Sequence, residues 1–292
     1  MAPHIIWPMR FILPYSKGMR PAWLLRLGLF LYDHLGFRKI LPGTSHVKLN
    51  KSKFGEPLKS HFKFGYEYSD CWVDDSRLVI LNAVDASLRG ADIQNYCKVT
   101  KVEKSDGLWS ITTTNTIDGK KNIYQTKCFI NASGPWVDDI LQNSFEKKNS
   151  KNVRLVRGSH IVVNKLFEHD RSFICQNNDN RIFFMIPYED KYTLIGTTDI
   201  DHGHSAGKVE ISEEEKLYIC KSANEYLKTE INLKDIVWSY SGARPLYDDG
   251  ASAAQEATRD YVIKAEEQES TLMINIFGGK ITTYRRLSES IL

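Results

Sequence analysis

The chain has 292 residues, of which 42% are hydrophobic and 26% are charged. These values are typical of a soluble globular protein with one large domain or two intertwined domains. The net charge of +3 is too small to indicate nucleic-acid binding, and it suits an anionic small substrate or an acidic membrane surface equally well. The five cysteines are widely spaced and form no Cys-x-x-Cys pair, which excludes a disulfide framework and a zinc site and indicates a reducing compartment.

The N-terminal segment, residues 1–65, is predicted to contain extended chain and one helix. Prolines divide residues 1–20 into short extended pieces. Residues 20–37 place apolar side chains at helical spacing behind Pro21, which suits the first helical position. Basic residues surround this helix: Arg20, Arg26, Arg38 and Lys39. The Trp23 helix therefore fits either a core helix or a helix that lies on a bilayer surface.

Residues 66–141 are predicted to form a parallel sheet interrupted by a β-meander. Asp74 and Asp75 cap a helix that ends at Gly90, and a short strand is expected over residues 91–95. Three strand-like runs with hairpin turns between them follow: 98–103, 108–115 and 122–126. A last strand, 127–131, ends in a turn of small residues, 132–136.

Residues 142–272 are predicted to form most of a second domain with a mixed or antiparallel sheet. A polar, solvated linker is expected over residues 142–153. Four β-rich runs follow: 159–164, 171–175, 181–187 and 192–197. Ser212 and the acidic residues behind it predict a helix over residues 212–227. Residues 273–292 then return to the first domain.

The most informative run is Phe-Gly-Gly-Lys-Ile-Thr-Thr-Tyr-Arg at residues 277–285. It joins a buried strand to a helix through Gly278 and Gly279, where unpaired backbone N–H groups can approach an anionic or electron-rich ligand. Lys280 adds a positive charge to this turn. An ordinary strand-to-helix turn is the alternative interpretation.

Two further residues are candidates for chemistry. His160 follows Gly158 and Ser159 at the predicted start of a strand, where an imidazole suits proton transfer near neutral pH, although a structural histidine is the alternative. Arg244 lies in a predicted turn between Gly242 and Pro245. It suits bidentate binding of a phosphate or carboxylate, and a surface arginine that caps a loop is the alternative.

The motifs taken together resemble a known family. They are Arg-Pro-Ala-Trp (20–23), Leu-Tyr-Asp-His-Leu-Gly (31–36), Glu-Tyr-Ser-Asp-Cys-Trp-Val-Asp-Asp (67–75), Asn-Ala-Ser-Gly-Pro-Trp (131–136), Gly-Ser-His-Ile-Val-Val (158–163), Ile-Gly-Thr-Thr-Asp (195–199), Tyr-Ser-Gly-Ala-Arg-Pro-Leu (240–246), Thr-Arg-Asp-Tyr (258–261) and the run 277–285. In this order they resemble the bacterial FAD-dependent, quinone-linked glycerol-3-phosphate dehydrogenases of the D-amino-acid-oxidase-like flavoprotein superfamily.

The resemblance implies an α/β (mixed α+β) fold, with a three-layer ββα FAD-binding domain that carries a β-meander and a β-sheet substrate domain. It also implies oxidation of sn-glycerol 3-phosphate to dihydroxyacetone phosphate with FAD as the hydride acceptor and ubiquinone as the electron acceptor. The expected location is cytoplasmic, at the cytoplasmic face of the bacterial inner membrane, where the chain binds as a peripheral protein. A homodimer is expected, and nucleic acid and metal are not.

The resemblance also implies roles for individual residues. Catalysis and substrate binding are expected from His160, Arg244 and Lys280, with His160 as the base or proton relay. Expected FAD contacts are Val99, Ala132, Ser133, Gly134, Gly278, Gly279, Lys280, Thr282 and Thr283.

The chain departs from the family because it lacks the Gly-x-Gly-x-x-Gly unit that binds the FAD pyrophosphate. It is therefore expected to be a fragment that starts inside the family sequence, so that its FAD-binding domain is incomplete, and that stops before the C-terminal helical domain. One alternative is a non-catalytic remnant or subunit that needs a separate FAD-binding N-terminal chain. Another is an oxidase of the same superfamily that acts on a D-amino acid.

Overall fold

The computed structural model describes residues 2–35, 40–145, 151–177, 179, 181–203, 207, 209–250, 258, 260–268 and 270–292. The described residues exclude two motif residues, Gly36 and Arg259, and two basic residues beside the predicted N-terminal helix, Arg38 and Lys39. The chain divides into two compact units. Unit 1 contains residues 1–79, 158–198 and 210–241, and unit 2 contains residues 80–157, 199–209 and 242–292.

The described residues form a mixed α/β structure with several sheets, as the sequence predicts. The helices are α1 (Ala22–His34), α2 (Asp75–Leu88), α3 (Val137–Asp139), α4 (Glu213–Tyr226) and α5 (Tyr284–Ile291). The strands are β1 (Ile6–Pro14), β2 (Ser45–Val47), β3 (Gly65–Val73), β4 (Cys97–Ser105), β5 (Leu108–Asn115), β6 (Lys121–Thr126), β7 (Cys128–Asn131), β8 (Val153–Asn164), β9 (Ser172–Gln176), β10 (Ile182–Tyr188), β11 (Tyr192–Gly196), β12 (Ile200–Asp201), β13 (Ile236–Tyr247), β14 (Tyr261–Gln268) and β15 (Thr271–Gly278).

Unit 1 is built on a mixed sheet in the strand order β8-β11-β10-β9-β1-β3-β2. Its neighbouring strands are antiparallel except for β1 and β9, which run parallel. Helix α4 begins at the predicted capping serine, because the Ser212 hydroxyl accepts from the Glu215 N–H and the Glu215 carboxylate accepts from the Ser212 N–H. The buried face of α4, with Ile219 and Ala223, packs in the same core as the strand residues Phe173 and Ile195.

Unit 2 contains two three-stranded sheets. Strands β4, β5 and β6 form the predicted antiparallel meander, and β15 lies between β14 and β7 and runs parallel to β7. Apolar side chains from both sheets and α3 share one core: Val102, Trp109, Phe129, Val137, Leu141, Met273 and Phe277. The Trp109 indole N–H also donates to the Leu272 carbonyl oxygen at 3.0 Å, which satisfies the only polar group of a buried ring.

Helix α1 lies on the surface of unit 1. It has no buried residue, and its apolar side chains, including Trp23 at 68% exposure and Phe30 at 55%, face outward. This exposure contradicts the core-helix alternative and agrees with the surface-helix alternative. Pro21 precedes the helix as its N-cap instead of occupying the first helical position. Among the described residues, no helix is both long enough and apolar enough to cross a membrane.

Two local predictions are wrong. Residues 91–95 form no strand, because no described strand pairs with them, and Ile93 is exposed. The expected linker over residues 142–153 is partly structured. Residues Ile140–Ser144 form a π-helical turn that buries Leu141, and the Asp138 carboxylate accepts from the backbone N–H groups of Asn152 and Val153 at 2.7 and 2.9 Å. Residues 146–150 lie outside the described residues.

Candidate active site

The first of two candidate regions lies at the carboxyl ends of the parallel strands β7 and β15 in unit 2. Each strand is followed by a glycine-containing turn and then a helix: Gly134 follows β7, and Gly279 follows β15. The carboxyl ends of neighbouring parallel strands meet at one edge, where ligands of α/β proteins bind. The sequence prediction of a strand, a Gly-Gly break and a helix at residues 273–292 is therefore confirmed in its geometry.

Two buried asparagines join the ends of these strands. Asn131 and Asn275 are register partners, and the Asn131 amide donates to the Asn275 side-chain oxygen and to the Val137 carbonyl oxygen, both at 3.1 Å. The Ser133 hydroxyl donates to the Asn131 side-chain oxygen at 2.6 Å. Sequence reasoning missed both asparagines, although an asparagine inside an apolar strand is a recognisable signal of a specific buried hydrogen bond.

Gly278, the last residue of β15, and Gly279, which follows it, are both required by the fold itself. Gly278 and Gly279 have φ values of 69° and 93°, which side chains rarely adopt. A Cβ on Gly278 would lie 3.0 Å from the Asp260 carbonyl oxygen, and one on Gly279 would lie 3.1 Å from the Tyr261 Cβ. Gly134 also has a positive φ, of 57°, but a Cβ there would meet no atom within 4 Å, so open space lies in front of that turn.

The other expected FAD contacts of unit 2 differ in exposure. Lys280 is exposed and forms no ion pair with any residue the structure describes. Thr282 is exposed, whereas the Thr283 hydroxyl donates to the Lys280 carbonyl oxygen at 2.9 Å and so closes the turn. Ala132 is exposed, while Val99 packs against the core of unit 2.

Arg244 is held by an ion pair with Asp199 in unit 2. One terminal guanidinium nitrogen of Arg244 lies 2.6 Å from Asp199 Oδ1, and the two side chains are 40% and 18% exposed. Arg244 lies inside β13, so the prediction of a turn is wrong, although the extended conformation that Pro245 imposes is present. Pro245 and Tyr247 of the same strand line the space beside Gly278, which places the Arg244 strand next to the Gly-Gly turn.

The second candidate region contains His160 and lies in unit 1. Strand β8 begins at Val153, so His160 lies within the strand and not at its start as predicted. The imidazole covers its register partner Gly196, where a Cβ would lie 2.5 Å from His160 Cδ2. The Tyr240 ring stacks on the His160 imidazole, with the two ring centroids 5.0 Å apart and an interplanar angle of 10°. Burial raises the pKa of the Tyr240 hydroxyl, and Tyr188 and Asp75 add to this effect, so Tyr240 is neutral near pH 7.

The unit 2 edge offers open space and a positive charge to an anionic cofactor. Open space in front of Gly134 admits a bulky group, and the exposed Lys280 supplies a positive charge beside two glycine turns. Within the part of the chain that the structure describes, no group of His, Cys, Asp and Glu side chains has the arrangement of a metal site.

Comparison with known proteins decides the family. The sequence profile of the FAD dependent oxidoreductase (DAO) family matches residues 1–285. The chain belongs to the FAD-dependent oxidoreductase family. This membership confirms the resemblance inferred from the motifs and confirms FAD as the cofactor of the family.

Individual members of the FAD-dependent oxidoreductase family are similar over almost the whole chain. The D-erythritol 1-phosphate dehydrogenase of Brucella abortus is 47% identical over 99% of the chain and 57% of its own length. The aerobic glycerol-3-phosphate dehydrogenase of Escherichia coli is 41% identical over 100% of the chain and 58% of its own length. The chain thus spans little more than half the length of these relatives.

A solved structure supports the fold assignment. The glycerol-3-phosphate dehydrogenase of Bacillus halodurans, complexed with FAD, superposes with a TM-score of 0.76 at 24% identity, over 99% of the chain and 51% of its own length. In the chain itself, Arg244 and the Gly278–Lys280 turn lie in unit 2, and His160 lies in unit 1.

Proposed function

We propose that the chain carries the substrate-handling residues for FAD-dependent oxidation of a polyol phosphate, with glycerol 3-phosphate oxidised to dihydroxyacetone phosphate. The observation that carries this proposal is the 41% and 43% identity to two glycerol-3-phosphate dehydrogenases across 293 residues. FAD, when bound, supplies the hydride acceptor and passes the electrons on to ubiquinone.

Each candidate residue has a role that fits its surroundings. Arg244, oriented by Asp199, binds the substrate phosphate through charge-assisted hydrogen bonds. His160, which covers Gly196 and stacks on Tyr240, accepts the proton of the substrate hydroxyl, because an imidazole nitrogen is a suitable general base. Lys280 and the backbone N–H groups beside Gly279 offset negative charge on the cofactor. The Ala132–Gly134 turn and Val99 would lie beside the adenosine and pyrophosphate of bound FAD.

D-erythritol 1-phosphate is a second candidate substrate. The Brucella abortus relative that is 47% identical is named for D-erythritol 1-phosphate, which has the same phosphate and secondary alcohol on a chain one carbon longer. An arginine clamp for phosphate suits both substrates, so the length of the polyol distinguishes the two candidates.

Turnover with a set of substrates tests the proposal. The purified chain is supplied with FAD and an artificial electron acceptor, and kcat/KM is measured with glycerol 3-phosphate, D-erythritol 1-phosphate and D-amino acids. Oxidation of a polyol phosphate alone supports the proposal, whereas oxidation of a D-amino acid overturns it. The visible absorbance of bound flavin is recorded in parallel, since a colourless protein favours the subunit alternative.

We also infer a peripheral association with the cytoplasmic face of the inner membrane. The exposed apolar side of α1, with Trp23 and Phe30 and with Arg20 and Arg26 exposed near them, supports this inference. A homodimer stays a prediction from the resemblance, and light scattering of the purified chain measures it.

A further inference from the structure

A polar cluster, buried except for the partly exposed Ser241, lies on the face of strand β8 opposite to the imidazole of His160. The cluster consists of Ser159, Thr198, Glu215 and Ser241, all in unit 1. Ser159 and Thr198 are fully buried, and Glu215 is 3% exposed. Successive residues of a strand point to opposite faces, so Ser159 points away from the face that carries His160.

Glu215 connects the members of this cluster. Its Oε1 atom accepts from the Ser159 hydroxyl at 2.7 Å and from the Thr198 hydroxyl at 2.9 Å. The Ser159 backbone N–H donates to Thr198 Oγ1 at 3.0 Å, and the Ser159 and Ser241 hydroxyls lie 2.7 Å apart. Glu215 thus bonds directly to the Ser159 and Thr198 segments, and the Ser241 segment is linked to it through the Ser159 hydroxyl. Hydrogen bonds to a carboxylate are stronger than neutral ones.

Each of these segments also forms part of the enclosure of His160. Ser159 directly precedes His160, Ser241 directly follows Tyr240, and Thr198 is two residues beyond Gly196. The Tyr240 ring stacks on the imidazole, and Gly196 lies beneath it. A shift of the cluster therefore moves both walls of the enclosure together with the backbone of His160.

We propose that Glu215 is a positioning residue for His160, acting through Ser159, Thr198 and Ser241, and that it sets the orientation in which the imidazole meets the substrate hydroxyl. This proposal rests on the role of His160 in the proposed function. Glu215 touches neither substrate nor cofactor, and its effect passes entirely through the three hydroxyl residues.

The chain offers matched variants for the test. Glu215→Gln removes the charge of the carboxylate, and Thr198→Val removes one hydroxyl at constant shape, whereas Thr198→Ser retains that hydroxyl. Ser212→Ala is the control, because it breaks the helix cap that Glu215 shares and leaves the bonds to Ser159 and Thr198 in place.

Steady-state kinetics and NMR of the purified chain with FAD read out the result. Glu215→Gln and Thr198→Val are expected to lower kcat for glycerol 3-phosphate about ten- to hundredfold and to change KM little, since misplacement of a reacting group costs rates of this order. The same two variants should shift the imidazole signals of His160, which are assigned with His160→Gln. Thr198→Ser and Ser212→Ala should keep both kcat and the imidazole signals.

Two outcomes overturn the proposal: unchanged kcat and imidazole signals in Glu215→Gln and Thr198→Val, or an equal loss in Ser212→Ala, which would mark a purely structural role. If Glu215→Gln fails to fold, the comparison of Thr198→Val with Thr198→Ser decides alone. An inactive wild-type chain contradicts the proposed function, while the imidazole signals still test the positioning of His160.

Discussion

Asn131 and Asn275 are joined by a buried side-chain hydrogen bond of 3.1 Å, although 144 residues separate them in the chain. They occupy the same register position of the parallel pair β7 and β15, one residue before the Ala132 turn and three before Gly278. The bond therefore holds the two turns of the candidate FAD edge at a fixed distance along the sheet.

Replacing Asn275 by leucine is expected to destabilise the chain by about 1–3 kcal/mol, because the Asn131 amide loses one of its two buried acceptors. Urea unfolding measures the change in the free energy of unfolding. Asn122→Leu is the control, since Asn122 is exposed on β6. Overlapping unfolding curves for Asn275→Leu and Asn122→Leu would contradict the assigned role.

Arg244→Lys is expected to lower kcat/KM for glycerol 3-phosphate strongly, since lysine lacks the planar fork that binds Asp199 and a phosphate together. Initial rates over a range of substrate concentrations measure this loss. Arg285→Lys, in an exposed arginine of α5 that pairs with Glu289, is the control and should keep wild-type rates. Wild-type kinetics for Arg244→Lys would remove Arg244 from the site.

Gly196→Ala is expected to abolish most activity and to reduce stability. The new Cβ would lie 2.5 Å from His160 Cδ2 and 2.7 Å from the Ser159 carbonyl oxygen, so the imidazole and the backbone of β8 must move. Activity and thermal unfolding are measured together. Gly203→Ala serves as the control because its Cβ would meet no atom within 4 Å. An active Gly196→Ala variant would show that the position of His160 is not critical.

The stability of the chain is expected to fall on acidification because of His169. This histidine is buried against the rings of Phe167 and Phe173, and burial, aided by the charges of Lys53 and Arg171, lowers its pKa. Below about pH 6.5 the unfolded chain binds a proton that the folded chain does not, so stability decreases as the pH falls from there to the folded-state pKa.

Urea unfolding at pH 7.5 and 5.5, chosen to bracket the ordinary histidine pKa of about 6.5, measures this loss. His169→Phe should remove part of the pH dependence, while His61→Phe, at an exposed histidine, should not. An unchanged pH dependence in His169→Phe would assign the acid sensitivity to other groups.

Binding of α1 to lipid vesicles tests the membrane proposal. The double variant Trp23→Ala and Phe30→Ala is expected to bind vesicles containing anionic lipid about tenfold or more weakly, because each side chain loses an apolar surface that the bilayer would bury. Cosedimentation measures the bound fraction. Trp238→Ala, at an exposed tryptophan of β13, is the control. Equal binding of both variants would exclude α1 as the contact.

The sequence predicted those parts of the structure that depend on local patterns. The strand before Gly278, the meander hairpins and the Ser212 cap follow from periodicity and turn chemistry, and each is confirmed. The glycine and the proline near Arg244 predict a turn. Pro245 is tolerated inside β13, however, and the strand continues through it to Tyr247.

The contacts that shape the candidate site could not be predicted, because they join distant parts of the chain. Asn131 meets Asn275, Arg244 meets Asp199 across 45 residues, and Glu215 meets Ser159 across 56. The acidic run 213–215 showed where a helix begins. Nothing in the sequence distinguished Glu215 as the buried member, since this depends on which side of α4 faces the sheet.

The surroundings of Gly134, Gly278 and Gly279 determine how substitutions at these three positions in relatives should be interpreted. Gly278 and Gly279 are confined by Asp260 and Tyr261 of the chain itself, so their retention in a distant homologue would reveal nothing about whether that homologue binds a flavin. Gly134 also has a left-handed backbone, with a φ of 57°, but open space lies in front of it, so no neighbouring atom of the chain confines it. Substitution of residue 134 would therefore combine backbone strain with obstruction of an incoming ligand.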